Sequence, residues 1–363
     1  MTLIAYLSPE EFPVLLGDVL LSREVDLGER VHLPSVGLLA RGFSPSGQHY
    51  ISGLRQKICL INDSLVMAWS GKHSDAKKIA IEAKLELGTD LINPEIVSQL
   101  VEKSKSIGLE TIFVSADLCN KKIHISSSLA LFETDLYGSC VVGGSGTTYL
   151  CPLLISGPRR SIDQVLLEGE VNKETLALHK CNALTAEILA NELHTEETLD
   201  HYFGGAIEMC YFDGNIDRFV KFGDTLTVLM AFNSVEGVDK WYIKPVIIKS
   251  DYHNDIMVIR RLEGRPNSTF LKEDKTFFIP PTNRDLDVDE LSNIRIDWSA
   301  KYLRVVTLLI GQSQRTRCIM IQVNQKRELD CGIKQSKGRY EFFMESTLKE
   351  KIRESIHSYL KSN

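Results

Sequence analysis

The amino-acid sequence predicts an α+β chain: an αββα four-layer arrangement of two stacked sheets between helical layers, followed by a smaller β-rich domain that ends in a helix. Three observations carry this. The first strand-like runs, such as Thr2–Leu7 and Leu65–Trp69, are almost continuously apolar, as in sheets covered on both faces. The elements come in blocks of strands, two helices, strands, helices and strands again, which suits sheets held between helical layers. The texture changes after about Phe222, where strand-like segments follow one another without long helices between them.

The elements follow in order. Thr2–Leu7 and Val14–Leu16 are short apolar runs separated by Ser8-Pro9-Glu10-Glu11, and Lys57–Ile61 and Leu65–Trp69 are joined by a turn at Asn62-Asp63-Ser64. Between Asp18 and Lys57 a looser stretch with Gly42, Pro45 and Gly47 reads as a long hairpin or surface loop. Ser74 caps a helix whose apolar face carries Ala76, Ile79, Ala80, Ala83 and Leu87, and Gly88 stops it. Asn93-Pro94-Glu95 starts a second helix, with an N-cap followed by Pro at the first helical position. Its stripe is Ile96, Val97, Leu100 and Val101, and Gly108 ends it. Strands return at Glu110–Ala116 and Lys122–Ser127, and a third helical region runs from about Lys173 to Leu193. Ala206–Phe212 and Asn215–Phe222 form a hairpin about Asp213-Gly214. Further strands are expected at Thr225–Phe232, Trp241–Lys249, Asp255–Arg261, Leu303–Ile310 and Arg317–Gln325, and an amphipathic helix from Thr347.

A length of 363 residues fits two domains, here 1–222 and 223–363. A formal net charge of -6 gives no reason to expect nucleic acid or an anionic membrane as partner. Eight cysteines are scattered without a CxxC pair or zinc-site spacing, which suits a reducing compartment. Glu10, Glu11, Pro13 and Asp18 interrupt the apolar N-terminus, so it does not read as a signal peptide. No run approaches a membrane span. The expected location is the cytoplasm.

The chain opens Met1-Thr2, with Asp18 in Leu15-Leu16-Gly17-Asp18. Once Met1 is removed, Thr2 holds a nucleophilic hydroxyl and a basic amine on one residue, a recognised solution for acyl transfer. Further on, Tyr50–Lys57 leads to a lysine. Fourteen residues later comes Ala68-Trp69-Ser70-Gly71-Lys72-His73-Ser74-Asp75. Gly143-Gly144-Ser145-Gly146 and Asp200-His201-Tyr202-Phe203-Gly204-Gly205 complete the series.

In this order, over residues 2 to about 220, these stretches resemble a proteasome β-type subunit, an N-terminal nucleophile (Ntn) hydrolase, closest in style to the simple bacterial proteasome-like threonine peptidases. The resemblance implies the Ntn-hydrolase version of the four-layer sandwich. It makes Thr2 the nucleophile, Lys57 the cation that stabilises the alkoxide, and Asp18 the group that keeps Lys57 charged and oriented. Ser145 and Asp200 become supports of the threonine amine, and Gly71 the oxyanion donor. Trp69 falls at the floor of the substrate pocket, with His73 beside it. No metal or organic cofactor is implied. A peptide or protein substrate, a homo-oligomer in the form of a ring, and an ATP-driven unfoldase or other regulator are. The chain departs from the family pattern in three places: residues of about 24 to 48 read as an insertion, Phe203 stands where the family has a serine, and the C-terminal domain has no counterpart in the ordinary subunit.

The residues also carry plainer readings. A free α-amine titrates near roughly 7.7–8.0 and suits a general base, and a lysine charge near the attacking oxygen suits alkoxide stabilisation. Yet Asp18 also reads as a turn residue, Lys57 as a solvated strand-edge charge, Gly144-Ser145-Gly146 as a loop into a helix, and His73 and His201 as structural or solvated. Three functions are therefore carried forward: an active threonine peptide or amide hydrolase, a non-catalytic structural or binding protein on the same frame, and an Ntn hydrolase of small amides.

Overall fold

The structure, a computed structural model, describes residues 2–24, 31–39, 50–88, 92–120, 122–155, 172–235, 238–264, 270–310, 315–322, 331–336 and 339–362. It is an α+β protein. The helices among these residues are α1 (His73–Leu87), α2 (Pro94–Ser106), α3 (Thr147–Ile155), α4 (Lys173–Thr195), α5 (Glu197–Asp200), α6 (Val288–Asn293) and α7 (Ser346–Ser362).

A first sheet has the strand order Leu131–Thr134, Gly138–Gly143, Ile4–Leu7, Val14–Asp18, Ile207–Asp213, Arg218–Lys221, antiparallel throughout. A second has the order Lys122–Ser127, Glu110–Asp117, Leu65–Ser70, Ile58–Asn62, also antiparallel. Side chains alternate across a strand, and the apolar runs supply partners on both sides. Ile4, Tyr6 and Leu15 pack with Val66, Ala68, Ile112 and Val114 of the second sheet. Leu3, Ala5, Leu7 and Leu16 pack instead with Leu150 and Leu154 of α3 and Leu178, Cys181, Leu184 and Ile188 of α4. On the far face of the second sheet, Cys59, Met67 and Phe113 meet Ala76, Ile79, Ala80 and Ala83 of α1 and Val97, Leu100 and Val101 of α2.

The cap signals hold in part. Asn93 Oδ1 accepts the Glu95 N–H at 2.9 Å, and Gly88 (φ 52°) and Gly108 (φ 73°) follow the two helices in the left-handed region. Ser74, expected as a cap, lies inside α1, which starts one residue earlier; Lys72 occupies the cap position without a side-chain hydrogen bond. The stretch between Asp18 and Lys57 is partly ordered as strands. Leu20–Arg23 pairs with Tyr50–Leu54, and His32–Leu33 with Gly37–Leu38, while residues 25–30 and 40–49 of the expected insertion lie outside the described residues.

A third sheet is built from residues beyond 222. Its eight strands run in the order Arg315–Gln322, Tyr302–Ile310, Thr225–Val235, Val238–His253, Ile256–Gly264, Phe270–Ile279, Arg339–Met344, Cys331–Ser336. One pairing, Thr225–Val235 with Tyr302–Ile310, is parallel, and α6 lies in the crossover that a parallel pair requires. On one face α7 lays Leu348, Ile352 and Ile356 against Leu226, Val228, Phe232 and Val305. The other face shares a core with the first part of the chain: Leu229, Ile248, Met257, Ile259 and Phe277 cluster with Val19, Ala186, Ala190 and Ala206. Among the described residues no helix is long and apolar enough to cross a membrane.

Candidate functional site

Thr2 sits at the head of the strand Ile4–Leu7 and is fully buried; Met1 lies outside the described residues. The turn after Gly138–Gly143 crosses directly over it. The Thr2 N–H donates to Ser145 Oγ at 3.0 Å, and the Thr2 carbonyl accepts the Gly146 N–H at 3.1 Å. Gly144 has φ +87°, and a Cβ there would stand 2.0 Å from the Thr2 carbonyl oxygen. The close approach therefore requires glycine. The Ser145 hydroxyl has the Tyr202 carbonyl at 3.3 Å and the Thr2 carbonyl at 3.4 Å as acceptors.

Asp18 ends the strand Val14–Asp18 and is fully buried. Its Oδ1 accepts the Leu3 N–H at 3.0 Å, and its Oδ2 accepts those of Leu20 and Gly204, each at 3.1 Å. This carboxylate ties three chain segments together, which a simple turn residue does not do. Burial pushes its pKa up to about 6, against the lowering effect of the Lys57 charge and the three N–H donors.

Lys57 is fully buried too, not a solvated edge charge. Its Nζ makes no hydrogen bond among the described residues and lies 4.2 Å from the centre of the Trp69 ring, a cation–π contact. Burial pulls its pKa down to about 8, while Asp18 and Glu208 favour the charged form and Arg55 opposes it. A lysine held there titrates near pH 8, and among the described residues all three of its N–H donors are left for an incoming oxygen. The backbone beneath it is clamped: Glu208 accepts from the Lys57 N–H, from the Ile58 N–H at 2.7 Å and from Lys221 Nζ at 2.5 Å. Gly17 admits the stem of Lys57, since a Cβ at that position would sit 3.1 Å from Lys57 Cβ.

Thr2, Ser145, Asp18 and Lys57 thus gather at one end of the two facing sheets. Gly71 follows the strand Leu65–Ser70 with φ +126° and is exposed, a conformation that requires glycine. Asp200 does not join the group. It is exposed at the end of α5, and among the described residues it makes no side-chain bond to any of them. Its place next to the site is taken by Glu192, a fully buried carboxylate that accepts from the Ser35 hydroxyl, from the Gly205 N–H at 2.7 Å and from the Thr198 hydroxyl at 2.8 Å. Burial first, and the nearby Asp18 charge in smaller part, raise its pKa to about 7. Phe203 is a core side chain, fully buried with its ring centre 5.4 Å from that of Tyr149. His201 lies at the surface, its Nδ1 3.1 Å from Thr148 Oγ1.

The resemblance puts Trp69 at the floor of a substrate pocket with His73 beside it, and here another segment of the chain covers both. The Trp69 indole N–H donates to Thr282 Oγ1 at 2.9 Å, and His73 Nε2 lies 3.0 Å from the Thr282 carbonyl. Thr282 is fully buried and donates its own hydroxyl to the Gln56 carbonyl at 3.0 Å. The Gln56 N–H donates to the Pro280 carbonyl at 3.1 Å, and its side-chain amide to the carbonyls of Ile279 and Asp255 at 2.9 and 2.7 Å. Arg55 donates to the carbonyls of Pro281 and Arg284 at 3.0 and 2.7 Å, and pairs with Asp285 at 2.8 Å. Leaving any one of these buried groups unpartnered would cost about 1–3 kcal/mol. Burial lowers the His73 pKa, the Thr282 carbonyl opposing.

Sequence reading missed Glu192, Glu208 and the Pro280–Asp285 segment. Two of these had a signal. Glu192 follows Leu184 and Ile188 at helical spacing on the core face of α4, and Glu208 alternates with Cys210 on the inward face of its strand. An acid on an apolar face points to a buried partner. No group of His, Cys, Asp and Glu side chains among the described residues is placed to hold a metal ion. The chain matches no protein-family model and no curated protein.

Proposed function

We propose that the chain is a threonine-type hydrolase of peptides or amides that uses Thr2 as its N-terminal nucleophile after removal of Met1. One observation carries the reading: Thr2, its Ser145 support and the strand-end Asp18 meet beside a buried lysine whose ammonium makes no hydrogen bond among the described residues. The helix–sheet–sheet–helix order of the packed clusters supports the Ntn-hydrolase sandwich for residues 1–222, with residues 223–363 as an added β-rich unit.

The chemistry follows from the groups present. The Thr2 hydroxyl attacks the substrate carbonyl, and its proton passes to the α-amine. Lys57, charged below about pH 8, stabilises the nucleophile's oxygen as its proton departs. Gly71 offers a backbone N–H to the carbonyl oxygen as that becomes an oxyanion. The tetrahedral adduct expels the amine, which takes the proton from the α-amine, and leaves an ester on Thr2. Water then attacks the ester and releases the acid. Self-association into a ring, and feeding by an ATP-driven partner, belong to the same proposal, as does a cytoplasmic location.

The test is covalent capture. A peptide epoxyketone or β-lactone should modify Thr2, and Thr2→Ala should abolish both modification and turnover while leaving the fold intact. Turnover by Thr2→Ala at the parental rate would overturn the proposal, as would an intact mass that retains Met1 in active protein.

A second reading has one observation in its favour. Thr2, Lys57 and Trp69 are all fully buried, as in a non-catalytic protein that keeps the frame. It predicts no reaction with any electrophile at Thr2. An Ntn hydrolase of small amides would differ in assembly, working without a chamber.

A further inference from the structure

We infer that Thr282 sets the substrate specificity of the proposed site. Delivered by the third sheet, it fills the space beside Trp69 that a large substrate side chain would need, and so restricts the acyl residue to a small one of the glycine, alanine or serine class. The inference rests on the proposed function of Thr2 and adds the substrate class.

Position comes first. The Lys57 ammonium lies 4.2 Å from the Trp69 ring centre. A carbonyl activated next to Lys57 therefore brings its own side chain to the ground around that ring. The polar edge of the ring is already taken, because its N–H is bonded to Thr282 Oγ1. The Thr282 carbonyl meets His73 on the first turn of α1. Thr282 thus closes the space between the strand Leu65–Ser70 and α1.

The segment is a wall, not a lid. Two consecutive prolines, Pro280 and Pro281, fix its φ angles. Lifting it would strand the Trp69 N–H, the Gln56 backbone N–H and carbonyl, and part of the Arg55 guanidinium at once. Its outer ties reach solvent, Asp285 (70% exposed) with Arg55 and Lys77, and Arg284 with Asp255, and such pairs hold little. The two bonds of the Thr282 hydroxyl are buried.

Amide substrates that differ only in the acyl residue provide the test. The parent should turn over the alanyl substrate at least ~10-fold faster than the leucyl one, since even one extra methylene gives discrimination of that order in a tight pocket and leucine adds three carbons. Thr282→Gly should shift that ratio toward leucine by ~10-fold or more. Thr282→Ser keeps the hydroxyl and its two bonds, protects the fold, and should shift the ratio part of the way. Equal rates for alanine and leucine in the parent, or a ratio unchanged in both variants, would overturn the assignment while leaving the function of Thr2 standing. Absence of Thr2-dependent turnover with every acyl group would overturn both. Hydrogen exchange gives a readout without catalysis. The Trp69 indole proton should exchange only with global unfolding, and rapid local exchange would make the segment a lid and sink the wall.

Discussion

Ser145 Oγ stands 3.0 Å from the backbone nitrogen of Thr2, across 143 positions of sequence. The same hydroxyl faces the carbonyl of Tyr202, so one small side chain joins the first strand, the turn at Gly144 and the segment leading to Gly204. On the proposed function this nitrogen is the general base, and Ser145→Ala removes a hydrogen-bond partner that orients it. Turnover should fall by about 10–100-fold, less than the roughly 10²–10⁴-fold of losing the acid–base group itself, with the melting temperature lowered by only a few degrees. Steady-state kinetics beside thermal denaturation checks both.

Gly144→Ala should be far more damaging than Ser145→Ala. The new methyl would meet the Thr2 carbonyl at 2.0 Å, on a backbone already at φ +87°. Both the contact and the conformation oppose a side chain, and a loss of more than about 3 kcal/mol in urea denaturation is expected.

Lys57→Met tests the charge itself. The ammonium is buried and makes no hydrogen bond among the described residues, so a methionine of similar length keeps the packing of the stem. It also takes the nearby cation from the buried Asp18 carboxylate, and stability should fall, by up to about 3 kcal/mol. Activity should vanish. A variant that is stable yet fully active would remove Lys57 from the mechanism.

Glu192 makes a pH prediction. Its folded pKa is raised to about 7 from 4.5, so its contribution to stability is fully present below pH 4.5 and is lost as pH rises through 7. Glu192→Gln cannot ionise and lacks that loss. Relative to the parent, the variant should gain about 3 kcal/mol between pH 4.5 and 8, at about 1.4 kcal/mol per unit of pKa shift. Denaturant midpoints measured across that range decide it, and parallel curves would contradict the assignment.

What the sequence made legible was local. Continuous apolar runs marked the strands of the first two sheets, and Asn93-Pro94 marked the start of α2. Thr2, Asp18, Lys57 and Ser145 were named from their order and do come together. Other features depended on tertiary partners. Leu20–Arg23 and Tyr50–Leu54 form a ladder across a long intervening stretch without strand periodicity. The eight-stranded sheet depends on a parallel pairing of Thr225–Val235 with a strand that begins at Tyr302, and strand registers of that kind leave no local mark. Asp200 was placed by motif position alone, and the short helix α5 turns it to solvent. Thr282 lies 213 positions from Trp69, and a contact so distant along the chain leaves no sign in the local sequence.

The apolar seam in which Val19, Ala186 and Ala206 meet Ile248, Met257 and Phe277 has a practical corollary for anyone trimming the polypeptide. Expressing only its first 222 residues would lay bare one side of that seam together with the indole edge of Trp69. Such a fragment should clump or swell where the intact protein stays in solution, so the two portions are best handled as a single indivisible reagent.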